Sequence, residues 1–167
     1  MAVGALAPVD RAILDLIQLP HASWLDLVAS LITIFGQLEV LGTVALGVAI
    51  VRWRAGRRDW WISLLLFVVV GVELVLKLVI PQSPPPGELA RTVNLLPFLE
   101  SPTPFSFPSG HVARIAFLAT ALRARGAPVV VLVMALTRVY LAEHWPSDVL
   151  GGWLLGYGIA ALARARP

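Results

Sequence analysis

Thr137-Arg138-Val139-Tyr140-Leu141-Ala142-Glu143-His144-Trp145-Pro146-Ser147-Asp148 closes one apolar run and opens the next. An ionisable residue in or beside a membrane span is costly to keep, so it marks a functional site by default. Here an arginine, a histidine and two carboxylates crowd into twelve positions. Pro146 suits the first turn of a helix, where its missing N–H costs nothing. His144 and Asp148 are four apart, so at a helix start they share a face, and the carboxylate can hold one imidazole nitrogen while the other stays free to attack.

A second block, Phe107-Pro108-Ser109-Gly110-His111, supplies another histidine. Ser109 is a candidate N-cap and Gly110-His111 the start of the helix behind it. A helix start with bare N–H groups and a positive dipole end suits an anion such as phosphate. Together the blocks suggest a phosphate held by arginine, lysine and amides, attacked by one histidine and protonated by another.

Around these blocks the chain is fit for lipid. Of 167 residues 58% are hydrophobic and 14% charged, against about a quarter charged in a soluble domain. The length predicts a single domain over residues 1–167. No cysteine is present, which excludes disulfides and thiol chemistry. The expected fold is all-α, an integral membrane six-helix bundle with spans at about 21–36, 38–53, 60–80, 109–123, 127–143 and 147–163. The proline-rich stretch 81–108 is expected as an outer loop or lid, turning Leu95, Leu96, Phe98 and Leu99 towards a lipid substrate. Ahead of the spans, Pro8 to Leu19 puts Val9, Ile13, Leu16 and Ile17 on one face, opposite Asp10, Arg11, Asp15 and Gln18. That is a short amphipathic helix at the interface, or a cap against the bundle. Merging the first two spans into one is the rival count.

Basic residues cluster at Arg52–Arg58, Arg123/Arg125 and Arg164/Arg166. With six spans all three clusters and the N-terminus share one side, which the positive-inside rule makes cytoplasmic. The net charge of +3 then needs no nucleic acid. Lys77, His111, Arg138, His144 and Asp148 all fall near the outer face, so separate stretches converge at one level. Gly152 and Gly156 form a small-xxx-small pair that lets helices approach, within the bundle or in a homodimer. His21 is expected at the interface. Glu73, one turn before Lys77, is expected to be structural and to partner it.

These stretches resemble the type 2 phosphatidic acid phosphatases, membrane relatives of the vanadium haloperoxidases. That family's second motif, Pro-Ser-Gly-His, stands unaltered at Pro108–His111. Its third, Ser-Arg, five residues, His, three residues, Asp, stands as Thr137-Arg138, His144 and Asp148, with Thr137 for the serine. Its first, Lys, six residues, Arg-Pro, matches Lys77 but has Pro84 where the family has arginine. The resemblance implies His144 as nucleophile forming a phosphohistidine, Asp148 as its orienting partner and His111 as acid for the leaving group. It also implies Lys77, Ser109, Gly110 and Arg138 as phosphate ligands. Arg114, one turn past His111, is the candidate replacement for the lost arginine, and Arg91 the second candidate.

The implied activity is metal-independent hydrolysis, without cofactor, of a phospholipid or polyprenyl (pyro)phosphate at the outer leaflet of the cell membrane. Undecaprenyl pyrophosphate is the first choice, ahead of phosphatidylglycerophosphate and phosphatidic acid. The rival classes are a lipid phosphotransferase, working through the same phosphohistidine, and a non-catalytic lipid-binding protein. Monomer and homodimer remain open.

Overall fold

The computed structural model describes residues 2–95 and 104–165. All regular structure among them is helical: α1 (Ala2–Ile17), α2 (Ser23–Ile34), α3 (Leu38–Arg54), α4 (Leu66–Val79), α5 (Gly110–Ala121), α6 (Ala127–Tyr140) and α7 (Pro146–Ala165). A 3₁₀ segment over Trp60–Leu65 runs into α4. Leu96, Phe98 and Leu99 of the expected lid, and Arg166, lie outside the described residues.

Helix α5 is the axis of the bundle. Val112, Ala113, Ala116 and Phe117 are essentially shielded, and apart from His111, Arg114 and Thr120 the helix carries apolar or small residues. Helix α7 lies hard against it. A Cβ added at Gly152 would stand 2.3 Å from the Ser109 carbonyl oxygen, and one at Gly156 would stand 2.1 Å from that of Ala113. Only glycine permits that approach, so the small-residue pair packs inside the bundle.

The outward surface is apolar. Leu78 is 75% exposed and Leu162 70%, on helices whose inner faces are filled. Many large apolar side chains exposed on several helices suit hydrocarbon rather than water. One continuous helix among the described residues, Trp60–Val79, is long and apolar enough to cross a membrane by itself.

Two expectations need correcting. The first concerns the residues before Arg54, read as two opposed spans. Helices α2 and α3 meet at a bend of 40°, and a bend of that size does not reverse the chain. Their contacts descend in one direction: Asp26 accepts a hydrogen bond from Tyr140 Oη (2.5 Å), Thr33 accepts from Arg138, and Arg52 pairs with Asp59 at the far end. The pair is therefore one broken rod, and the chain before α2 lies at the His144 end rather than with the arginine clusters.

The second concerns α1, which begins at Ala2 rather than Pro8 and turns two of its polar residues inward, while Arg11 and Asp15 pair on the surface. Asp10 and Gln18 are buried beside the fully buried Leu14, while Val9, Ile13 and Leu16 face out. Gln18 Nε2 donates to the carbonyls of Tyr140 (2.8 Å) and Leu89 (3.0 Å). In apolar surroundings the usual rule inverts, because protein is then the better place for a polar group to find partners. The helix is a cap docked on α6 and α7 with an apolar outer side.

Candidate active site

A cavity of about 500 Å³ opens at the α1 end of the bundle, and Lys77, Gly110, His111, Arg114, Arg138 and His144 all line it. Six of the eight expected site residues therefore reach one space from four separate elements.

The loop between α6 and α7 presents His144. Ala142 adopts the left-handed conformation (φ 54°), and Glu143 N then donates back to the Arg138 carbonyl (3.1 Å), a Schellman-type helix end. Pro146 opens α7 as expected. His144 Nδ1 stands 3.5 Å from Asp148 Oδ2, and the same oxygen accepts the Trp145 N–H at 2.8 Å. Asp148 is 0% exposed, so this carboxylate is fixed behind the imidazole. Burial lowers the His144 imidazole below its ordinary range, against the raising influence of Asp148. Burial thus favours the neutral form of the ring.

The cations have separate supports. Arg138 donates to Thr33 Oγ1 (2.5 Å) and to Glu143 Oε2 (3.2 Å), and Thr92 holds the other Glu143 oxygen. Lys77 Nζ donates to the carbonyls of Phe105 (2.9 Å) and Ser106 (3.4 Å) rather than pairing with Glu73. Arg114 is tethered through Nε to the Gly110 carbonyl (2.8 Å), with its head on the cavity wall.

Pro84 also lines the cavity, so the position where the resemblance expects an arginine does face the site and carries no charge. Arg91 does not line it. Its guanidinium donates to the carbonyls of Pro20 and Gln18 and lies 5.1 Å over the Tyr140 ring. That removes Arg91 as a substitute cation.

Ser109 departs from expectation as well. Its N–H donates to the Asp148 carbonyl (2.9 Å) and its buried Oγ has no hydrogen-bond partner, yet it stands outside the cavity lining. Glu73 was expected on Lys77, but it rests over Gly110, where an added Cβ would meet Glu73 Oε1 at 2.1 Å. A carboxylate thus occupies the start of α5, where the dipole favours negative charge. Thr33, Gln37 and Glu143 line the cavity too. Glu143 lies in the stretch that carries His144, but no local pattern announces Thr33 or Gln37, since Thr33 and Arg138 are 105 residues apart.

The model of the PAP2 superfamily matches residues 58–166, well over half the chain. The chain belongs to the PAP2 superfamily. Among proteins of this superfamily's kind, the chain is similar to the undecaprenyl-diphosphatase of Sulfolobus acidocaldarius, 33% identical over 111 residues. That match takes in 61% of this chain and 52% of the relative, so it spans about half the relative's length. It is also similar to the decaprenylphosphoryl-5-phosphoribose phosphatase of Mycobacterium tuberculosis, 34% identical over 130 residues, covering 75% of this chain and 67% of that one. Its fold superposes on the crystal structure of a transmembrane PAP2-type phosphatidylglycerolphosphate phosphatase from Bacillus subtilis. The TM-score is 0.78 at 26% identity, over 96% of this chain and 85% of that one. The PAP2 relatives are thus lipid phosphatases and hydrolases.

Proposed function

We propose that the protein hydrolyses a lipid phosphate or pyrophosphate through a phosphohistidine on His144. The observation that carries this is the convergence of Lys77, Arg114, Arg138, His111 and His144 on one cavity. Three cations suit the equatorial oxygens of a phosphoryl group in transit, and stabilising that charge usually contributes most to such catalysis. Neutral His144, held by Asp148, attacks phosphorus. The bond from the attacked terminal phosphorus to the leaving oxygen breaks, and His111 gives that oxygen its proton. The leaving oxygen is the lipid alcohol oxygen in a monoester, or the bridging oxygen of a lipid monophosphate in a pyrophosphate. Water then attacks the phosphohistidine with His111 taking a proton, and inorganic phosphate leaves as the P–N bond breaks. On this reading charge neutralisation is the work of the three cations, without a metal.

The substrate favoured is a polyprenyl pyrophosphate such as undecaprenyl pyrophosphate, supported by the polyprenyl group in the names of both curated relatives. Phosphatidylglycerophosphate comes next, on the name of the structural relative. The protein is read as a multi-pass membrane enzyme crossing five times, with α2–α3 as one broken span. The arginines of residues 52–58, 123–125 and 164 gather at the end away from the site, which makes that end cytoplasmic by the positive-inside rule. The site and α1 then face the outer side and the C-terminus the inner.

Purified protein in detergent with EDTA, offered undecaprenyl pyrophosphate, phosphatidylglycerophosphate and phosphatidic acid, tests the reading. Phosphate release, fastest from the first, is expected. No release from any of them refutes it, and release only on adding a divalent metal refutes the metal-free route.

A further inference from the structure

The superfamily match begins at residue 58, yet α1 reaches the first turn of α7, where Asp148 resides. Asp10 is 5% exposed. Its Oδ1 accepts the Ser147 N–H at 2.8 Å and its Oδ2 accepts the Ser147 hydroxyl at 2.7 Å. A carboxylate at the first turn of a helix both satisfies an orphan N–H and complements the dipole. The usual capper comes from the residue just before the helix. Here it comes from a residue 137 positions away.

The contact does not end at Ser147. Gln82 Nε2 donates to the Ser147 hydroxyl (3.3 Å), and the Gln82 carbonyl accepts both the N–H (2.8 Å) and the hydroxyl (3.1 Å) of Ser106. The Ser106 carbonyl in turn accepts from Lys77 Nζ (3.4 Å). Gln82 and Ser106 are both buried. A continuous chain of hydrogen bonds thus joins α1 to the residue beside Asp148 on one side and to the support of Lys77 on the other.

We propose that Asp10 is a positioning residue for catalysis. It fixes the first turn of α7, and with it the Asp148–His144 pair, and through Gln82 and Ser106 it fixes the seat of Lys77. It touches neither substrate nor reacting atoms. The N-terminal helix is on this account part of the active site's framework, not an anchor added to a complete enzyme. The inference rests on the phosphatase reading above.

The plain alternative is a helix cap that stabilises the fold without affecting geometry at the site. Its signature differs: folded protein is lost, but each folded molecule turns over normally. The test compares full-length Asp10→Ala, Asp10→Asn and wild type in detergent. It reads kcat and KM for phosphate release, the melting temperature, and amide hydrogen exchange over residues 144–151. Asp10→Ala is expected to lower kcat roughly tenfold or more, with KM within about threefold, and to speed exchange in that segment; misplacement by about 1 Å has larger effects than this on rate. Asp10→Asn keeps an acceptor for the Ser147 N–H, and its amide can donate to the hydroxyl, so it should return to within about threefold of wild type.

Unchanged kcat in Asp10→Ala overturns the proposal. So does a loss of activity that tracks the folded fraction, with Asp10→Asn no better than Asp10→Ala. If wild-type protein releases no phosphate from any lipid, the phosphatase reading has failed. Exchange over residues 144–151 then still reports on the hold by Asp10, and unchanged exchange in Asp10→Ala overturns it.

Discussion

Gly36, in the break between α2 and α3, lies so close to His111 that a Cβ there would stand 2.6 Å from the imidazole Cδ2 and 2.9 Å from the His111 Cβ. The bend in the first rod is thus the surface on which the proposed acid rests. Its absence of a side chain sets how deeply that ring is seated.

Gly36→Ala should therefore push the His111 ring off its position. A displacement of about 1 Å costs on the order of a hundredfold in rate. Phosphate release with a preserved melting profile is the measurement, and normal turnover in Gly36→Ala would remove the contact from the mechanism.

Asp148 has a separate, titratable consequence. Its carboxylate raises the imidazolium pKa of His144, while burial lowers it by more. Asp148→Asn removes the raising influence, so the folded pKa falls. The neutral nucleophile then persists to lower pH, and the acid limb of kcat should move to lower pH even as the maximum rate drops. A limb set by titration of the substrate phosphate would stay in place. Rate profiles of both proteins between about pH 4 and 8 decide between them.

Two glycines of α7 should respond oppositely to alanine. At Gly156 the new Cβ meets the Ala113 backbone oxygen at 2.1 Å. Backbone cannot yield cheaply, so a loss of about 1–3 kcal/mol is expected. At Gly158 nothing lies within 4 Å, and Gly→Ala inside a helix gains about 0.5–1 kcal/mol. Reversible unfolding in mixed micelles would show both signs. A stable Gly156→Ala would contradict the close α5–α7 contact.

Arg114 lies on the wall of the same cavity as the uncharged Pro84. If its guanidinium completes the clamp, Arg114→Ala should lose roughly a hundredfold or more in kcat, the range for removal of one transition-state donor. Arg114→Lys should recover only part, because an ammonium lacks the bidentate fork. Arg91→Ala, whose contacts are with α1's end and Tyr140, should stay within severalfold of wild type. Near-normal turnover in Arg114→Ala would leave the clamp to Lys77 and Arg138.

What could be read in advance was chemistry at short range. Lys77, His111, Arg138, His144 and Asp148 announce themselves because a polar group among apolar runs needs a reason, and because His144 and Asp148 sit one helical turn apart. The α2–α3 rod follows the rival count: Gly36-Gln37 interrupts two apolar runs equally well as a hairpin or as a bend, and counting residues does not tell them apart. For α1 the amphipathic pattern leaves an interface helix and a cap equally open, and the structure selects the cap, because Asp10 and Gln18 find their partners in protein. Thr33 against Arg138 and Asp10 against Ser147 lie beyond any local signal, since each depends on how remote segments are folded together.

The central claim is covalent: the phosphoryl group passes through His144. Rapid quench of the enzyme with a lipid phosphate labelled at the terminal phosphorus tests it most directly. The account predicts a protein-bound label that is stable to base and lost in acid, located on His144 by peptide mapping and absent from His144→Ala, which should also release no phosphate. Phosphate release by His144→Ala at more than a few per cent of the wild-type rate, or a label on His111 instead, would contradict it.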